Sequence, residues 1–117
     1  MEAGTPSRTA MGAAMHRAAH QVLEDGRIFK DPLALPIIGT EGQERLAEWA
    51  APEHRRGMRL FIAARSRFAE EQLAAAVKAG VRQIVVVGAG LDTMALRGLH
   101  AEAGVRYFEV DHPATQS

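Results

Sequence analysis

The chain has 117 residues, 47% hydrophobic and 24% charged, with 14 basic side chains balanced by 14 acidic ones. That balance leaves no electrostatic footprint for nucleic acid or an anionic membrane, and no apolar run approaches the length that spans a bilayer. The absence of cysteine rules out disulfides, thiol chemistry and thiolate metal sites, and with no secretory signal in view the expected location is cytoplasmic.

Residues 8–24 have the periodicity of an amphipathic helix, with Met11, Met15, Ala18 and Val22 on one side and Gly26 as its stop. His16 and His20, four apart on that helix, read as a solvated face, so no metal site is expected. Phe29-Lys30-Asp31-Pro32 is a turn, because a residue before proline is biased away from helix. A short apolar segment, residues 33–38, follows. Thr40 can then cap a helix through Glu44, Leu46 and Trp49 that ends near Pro52.

A longer helix is expected from Arg59 to Ala79. At 100° per residue, Phe61, Arg65, Phe68, Ala69, Gln72 and Ala76 share one face, which points inward, while Arg67 and Glu71 can pair on the other. Arg65 would then lie between two phenylalanines. A guanidinium in that setting needs an anion or several acceptors. The pattern leaves open whether it grips a ligand carboxylate or is satisfied within the protein. Gly80 ends the helix.

The run from Ile84 to Thr93 carries the most chemistry. Ile84-Val85-Val86-Val87 has no polar alternation, which suits a strand covered on both faces in a parallel sheet. Gly88-Ala89-Gly90 permits a tight turn and a close backbone approach to a ligand. A helix over residues 93–100 would aim its free N–H groups at that turn. The next strand, residues 105–110, ends at Asp111, about twenty positions beyond the glycine turn, where a carboxylate can meet ribose hydroxyls. Thr93 stands where a dinucleotide fingerprint has its third small residue. The turn therefore favours a ligand with a ribose but no bridging phosphates, and disfavours a nicotinamide-dependent oxidoreductase.

These elements give an α/β organisation, with residues 1–80 as a helical segment and residues 81–117 as the first βαβ unit of a Rossmann-like sheet. Two strands alone leave unpaired edges. The expectation is a truncated piece of a longer domain, without activity of its own, or self-association through the exposed sheet edges.

Several pieces together resemble the leucine carboxyl methyltransferase family of class I S-adenosylmethionine (SAM)-dependent enzymes. They are Ser7-Arg8-Thr9-Ala10, Phe29-Lys30-Asp31-Pro32-Leu33-Ala34, Ala64-Arg65-Ser66-Arg67-Phe68, the stretch from Gly80 to Thr93, and Tyr107-Phe108-Glu109-Val110-Asp111-His112-Pro113. The resemblance covers nearly the whole chain but only the N-terminal portion of the family. It implies SAM as cofactor and an O-methyltransferase acting on a carboxylate or hydroxyl of a small molecule. The helical segment would serve as a lid. Arg65 would hold the methionine carboxylate, with Arg17 nearby, although Arg17 lies off the apolar face and reads from its position as a surface arginine. Gly88, Ala89 and Gly90 would line the cofactor, and Asp111 would bind its ribose. Asp92 and Thr93 would cap the helix and contact the ligand, simple capping being the stronger reading. The family usually continues Asp-Thr-Arg, and here Met94 replaces the arginine, with Arg97 one turn on. No catalytic acid–base pair is nominated.

Overall fold

The computed structural model describes residues 8–98 and 100–111. Ser7, His112 and Pro113 of the resembling pieces lie outside them. Three helices precede two strands: α1 (Arg8–Leu23), α2 (Ala34–Ala50), α3 (His54–Lys78), β1 (Gln83–Val87) and β2 (Arg106–Val110), with a short 3-10 helix, Ala101–Ala103, before β2. The strands pair in parallel, Gln83 opposite Arg106 and Val87 opposite Val110, so both run toward the same end of the sheet. Among the described residues, no helix is long and apolar enough to cross a membrane.

The helices form their own core. Ala14, Met15, Ala18 and Ala19 of α1 pack against Ala34, Ile38, Leu46 and Ala50 of α2. Five alanines in that set let the backbones approach closely. The stripe is rotated from the expected one, because Ala14 and Ala19 take the inner positions and Val22 is 59% exposed. Gly39 (φ 73°) interrupts α2, so residues 34–38 form one helical piece and a second begins where Thr40 is expected to start one. The Asp31-Pro32 turn is present, with Asp31 Oδ1 accepting the Leu33 N–H at 2.9 Å.

The histidines of α1 are not solvated: His16 and His20 are both buried. Nε2 of His20 accepts the N–H groups of Ile28 and Phe29, each at 3.2 Å. Its proton therefore resides on Nδ1, which donates to Glu24 Oε1 at 2.9 Å. Glu24 in turn takes a bidentate pair from the buried Arg59 of α3, with contacts of 2.7 to 3.1 Å. A reading of helical period alone had no means of detecting these polar anchors.

α3 is also rotated from its expected phase. Its buried residues are Arg59, Ile62, Ala63 and Val77, whereas Phe61 and Phe68 are 58% and 64% exposed. The smaller Ile62 and Ala63 take the buried face in place of the phenylalanines, and α3 packs against α1. Arg65 consequently leaves the core and is exposed. The expected Arg67–Glu71 pair forms at 2.8 Å. Leu73 and Val77 continue the helix onto the sheet, where they cluster with Ile84, Val86, Val105 and Tyr107.

Two expectations for the sheet are corrected. β1 is covered on one face only: Ile84 is buried under α3, while Val85 and Val87 are 59% and 80% exposed. Phe108 and Val110 of β2 are exposed beside them. The helix expected over residues 93–100 is a single turn, closed by the Arg97 N–H to the Thr93 carbonyl at 2.9 Å. Gly98 and His100 both have positive φ, near 65° and 62°, which no right-handed helix can propagate.

His16 makes stability depend on acidity. Burial, then the charges of Arg55 and Arg59, lower its pKa from 6.5 to about 4. The folded chain thus resists a proton that the unfolded chain accepts, so stability is complete above pH 6.5 and falls as pH drops toward about 4. Urea denaturation across pH 7.5 to 5 is expected to show that decline in the parent and a flatter profile in His16→Gln. Parallel profiles would contradict it.

Candidate functional site

Both strands deliver their C-terminal ends to one place, as a parallel pair must, and α1 closes over it. Gly88 donates its N–H to the Val110 carbonyl at 2.6 Å, and Ala89 donates to the same oxygen at 3.3 Å. The turn is thereby folded back onto the end of β2. Gly90 then donates to Oδ2 of Asp111, fixing that carboxylate at the base of the turn. Gly88 and Gly90 have φ of 65° and 55°, conformations that strain any residue with a side chain. At Gly90 there is a second reason: an added Cβ would stand 3.1 Å from Cβ of Ala10 on α1.

Around this turn lies a cavity of about 280 Å³, with Gly88, Ala89, Gly90, Asp111, Arg17 and Arg65 all in its wall. The six positions nominated from sequence are thus brought together by three separate elements and the turn. Asp92, read above as a capping residue, also lines it. Its Oδ1 does cap, accepting the Met94 N–H at 2.8 Å. The cavity sits near the small end of the roughly 300–1,000 Å³ usual for ligand pockets, room for part of a nucleoside.

Arg17 departs from the surface position read for it. It is half-buried, Nη2 donates to the Leu91 carbonyl at 2.6 Å, and its Nε has no hydrogen-bond partner among the described residues. Burial, reinforced by the positive charges of Arg65 and Arg97, lowers its pKa below the ordinary arginine value, against the pull of Asp92 and Asp31. A buried cation with an unused donor is a setting in which an arriving carboxylate gains more than it would in water. Arg65, its guanidinium 5.8 Å from the Phe61 ring centroid, adds a second cation at the rim. Two guanidinium groups and two carboxylates in one small cavity suit a zwitterion that also carries hydroxyls.

A polar network that the sequence pattern did not announce holds this wall in place. Thr93 and Asp31 are buried, and the Thr93 hydroxyl donates to Asp31 Oδ2 at 2.6 Å. Arg97 donates through Nε to Thr93 Oγ1 at 3.0 Å, lies 3.4 Å from Asp31 Oδ1, and forms a bidentate pair with Glu70 of α3. Gln21 of α1 binds the same loop, donating to the Phe29 carbonyl and accepting the Asp31 N–H. The network joins segments 62 residues apart, and nothing in local spacing announces it. Thr93 is more than a cap, and its size matters: a glycine there would leave Asp31 without its hydroxyl. Among the described residues, no group of three or more histidines or carboxylates could hold a metal.

The structure is α/β, with a parallel strand pair, a glycine turn after the first strand and a carboxylate just past the second that is held by that turn. The leucine carboxyl methyltransferase family model matches residues 10–117, and the chain belongs to that family. A protein from Parafrankia sp. (strain EAN1pec), provisionally named as an S-adenosyl-L-methionine-dependent methyltransferase, is 40% identical over 116 residues, covering 91% of this chain and 35% of its own length. Similarly named proteins from Streptomyces coelicolor and Mycobacterium avium (strain 104) are 38% and 36% identical, over 91% and 87% of this chain and 38% and 36% of theirs. The chain spans a little over a third of the length of these curated relatives.

The buried hydroxyl predicts a specific cost. Thr93→Val keeps the shape but leaves a buried carboxylate oxygen without its donor, and is expected to lower unfolding stability by about 1–3 kcal/mol. Thr93→Ser should retain most of it. Equal urea midpoints for the parent and Thr93→Val would contradict the role assigned to this bond.

Proposed function

We propose that the protein works as a SAM-dependent O-methyltransferase whose acceptor is a small molecule bearing a carboxylate or hydroxyl. The observation that carries this reading is the convergence of Arg17, Arg65, Asp92 and Asp111 on the cavity at the glycine turn, with the Arg17 Nε unused. The cofactor's amino-acid end is a zwitterion and its sugar presents two hydroxyls, so the charges present match its groups.

In this reading Arg65 and Arg17 take the carboxylate, a charge-assisted contact in a partly dry setting. Asp111, held by the Gly90 N–H, accepts from the ribose hydroxyls. Gly88, Ala89 and Gly90 let the backbone run against the ligand without side chains intervening. The helical segment, residues 1–80, serves as a lid over the strand unit, residues 81–117, and excludes water from the site. When bound, SAM supplies an electrophilic methyl on a sulfonium centre. An ionised carboxylate acceptor needs no base, so the chain's contribution is alignment in a dry cavity. With such a carboxylate acceptor the site needs no acid–base pair of its own.

Calorimetric titration with SAM and, separately, with NAD tests the reading. SAM is expected to bind and NAD is not. Arg65→Ala should weaken SAM binding about tenfold to a hundredfold, the value of a charge-assisted contact. Because Arg65 is exposed, its thermal midpoint should match the parent's. Unchanged SAM affinity in a folded Arg65→Ala variant, or preference for NAD, would overturn the assignment.

A further inference from the structure

A second and larger cavity, of about 490 Å³, lies between α1 and α2. It is on the far side of α1 from the site above. Thr9, Ala10, Ala13 and Arg17 face the glycine turn, whereas Arg8, Met11, Gly12 and Met15 face this cavity, and at 100° per residue the two sets occupy opposite faces of the helix.

Its body is apolar, formed by Met11 and Met15 from one helix and Ile38 and Trp49 from the other. Trp49 is fixed from behind: the Arg55 guanidinium stacks 4.1 Å from its ring centroid, and the His16 ring meets it at 4.6 Å in an edge arrangement. Methionines give the opposite wall a surface that adapts to shape. The charged rim holds Arg8 and Arg45 against a single carboxylate, Glu41, whose contact with Arg45 is a loose 3.7 Å.

Two helical glycines, Gly12 and Gly42, line this space. Glycine is a poor helix former, so its use inside a helix calls for a reason. At Gly42 the reason is internal, since an added Cβ would lie 2.9 Å from the Ile38 side chain. At Gly12, among the described residues outside its own stretch of helix, no atom lies within 4 Å of an added Cβ. That helix face, which lines the cavity, leaves room for a ligand.

We infer that the α1–α2 cavity binds an amphipathic small-molecule anion, its aliphatic or aromatic body against Trp49 and the methionines and its anionic group between Arg8 and Arg45. This site is separate from the cofactor cavity and does not depend on the reading given for it.

Trp49 is the only tryptophan in the chain, so its emission reports on the cavity directly. Titration of the protein with decanoate, below its micelle-forming concentration, is expected to give a saturable change. Decanol should bind at least fivefold more weakly. Gly12→Phe, which fills the space from an unobstructed position, should abolish the response, and Gly12→Ala should keep it. Arg45→Gln, an exposed substitution that leaves the fold intact, should weaken decanoate about fivefold and leave decanol unchanged. Equal binding of decanoate and decanol, an unaltered response in folded Gly12→Phe, or no saturable change in the parent would overturn the inference. So would sedimentation showing self-association that Gly12→Phe abolishes, since the cavity would then be a contact between copies.

Discussion

A hydroxyl–carboxylate bond between Thr93 and Asp31, buried and 2.6 Å long, sets the relation between the two halves of this chain. Asp31 belongs to the loop between α1 and α2, and Thr93 follows the glycine turn at the end of β1. Neither can be solvated where it sits, so each requires the other. Arg97 braces the pair and reaches across to Glu70, which adds α3 to the same assembly. Three helices and two strands are thereby held in one register at the point where the cavity opens. The apolar clusters could not do this alone, since the helical core and the strand core are distinct groups of residues.

The geometry of the cavity follows from that constraint. With α1 docked on the turn, Ala10 comes close enough that a Cβ at Gly90 would be crowded, and Arg17 reaches the Leu91 carbonyl. The same docking buries the Arg17 Nε without a partner. An unpaired donor on a buried cation is costly for the protein by itself, and an anionic ligand group offsets the cost. Asp111 is oriented from the opposite side by the Gly90 N–H. Cations on the helical wall thus oppose carboxylates on the strand wall, and the polarity of the site is fixed before any ligand arrives.

Much of this was legible in the sequence. The aliphatic run 84–87, the two glycines and the carboxylate at 111 are local signals whose spacing reflects the parallel pairing directly. Gly88, Ala89, Gly90 and Asp111 line one cavity for that reason, whereas Arg17 and Arg65, which also line it, were pointed to by the family resemblance. What failed was phase and context. Phe61 and Phe68 drew the inward face of α3 toward themselves, yet the smaller Ile62–Ala63 surface is the one that is buried. His16 and His20 look like solvated polar residues in a helical pattern, and their burial depends on partners at Glu24, the 28–29 backbone and Trp49. The helix after the turn stopped early because Gly98 takes positive φ, a conformation a sequence permits but does not demand. Asp31, Glu70 and Arg97 were invisible as a group, since their meeting depends on tertiary structure and not on spacing.

The most direct measurement is a structure of the protein with SAM bound. The account predicts the amino-acid carboxylate at Arg65 and Arg17, the ribose hydroxyls at Asp111, and the ligand lying along residues 88–90 with the Thr93–Asp31 bond intact. A ligand seated away from that turn, or one that leaves Arg17, Arg65 and Asp111 touching only protein, would contradict it.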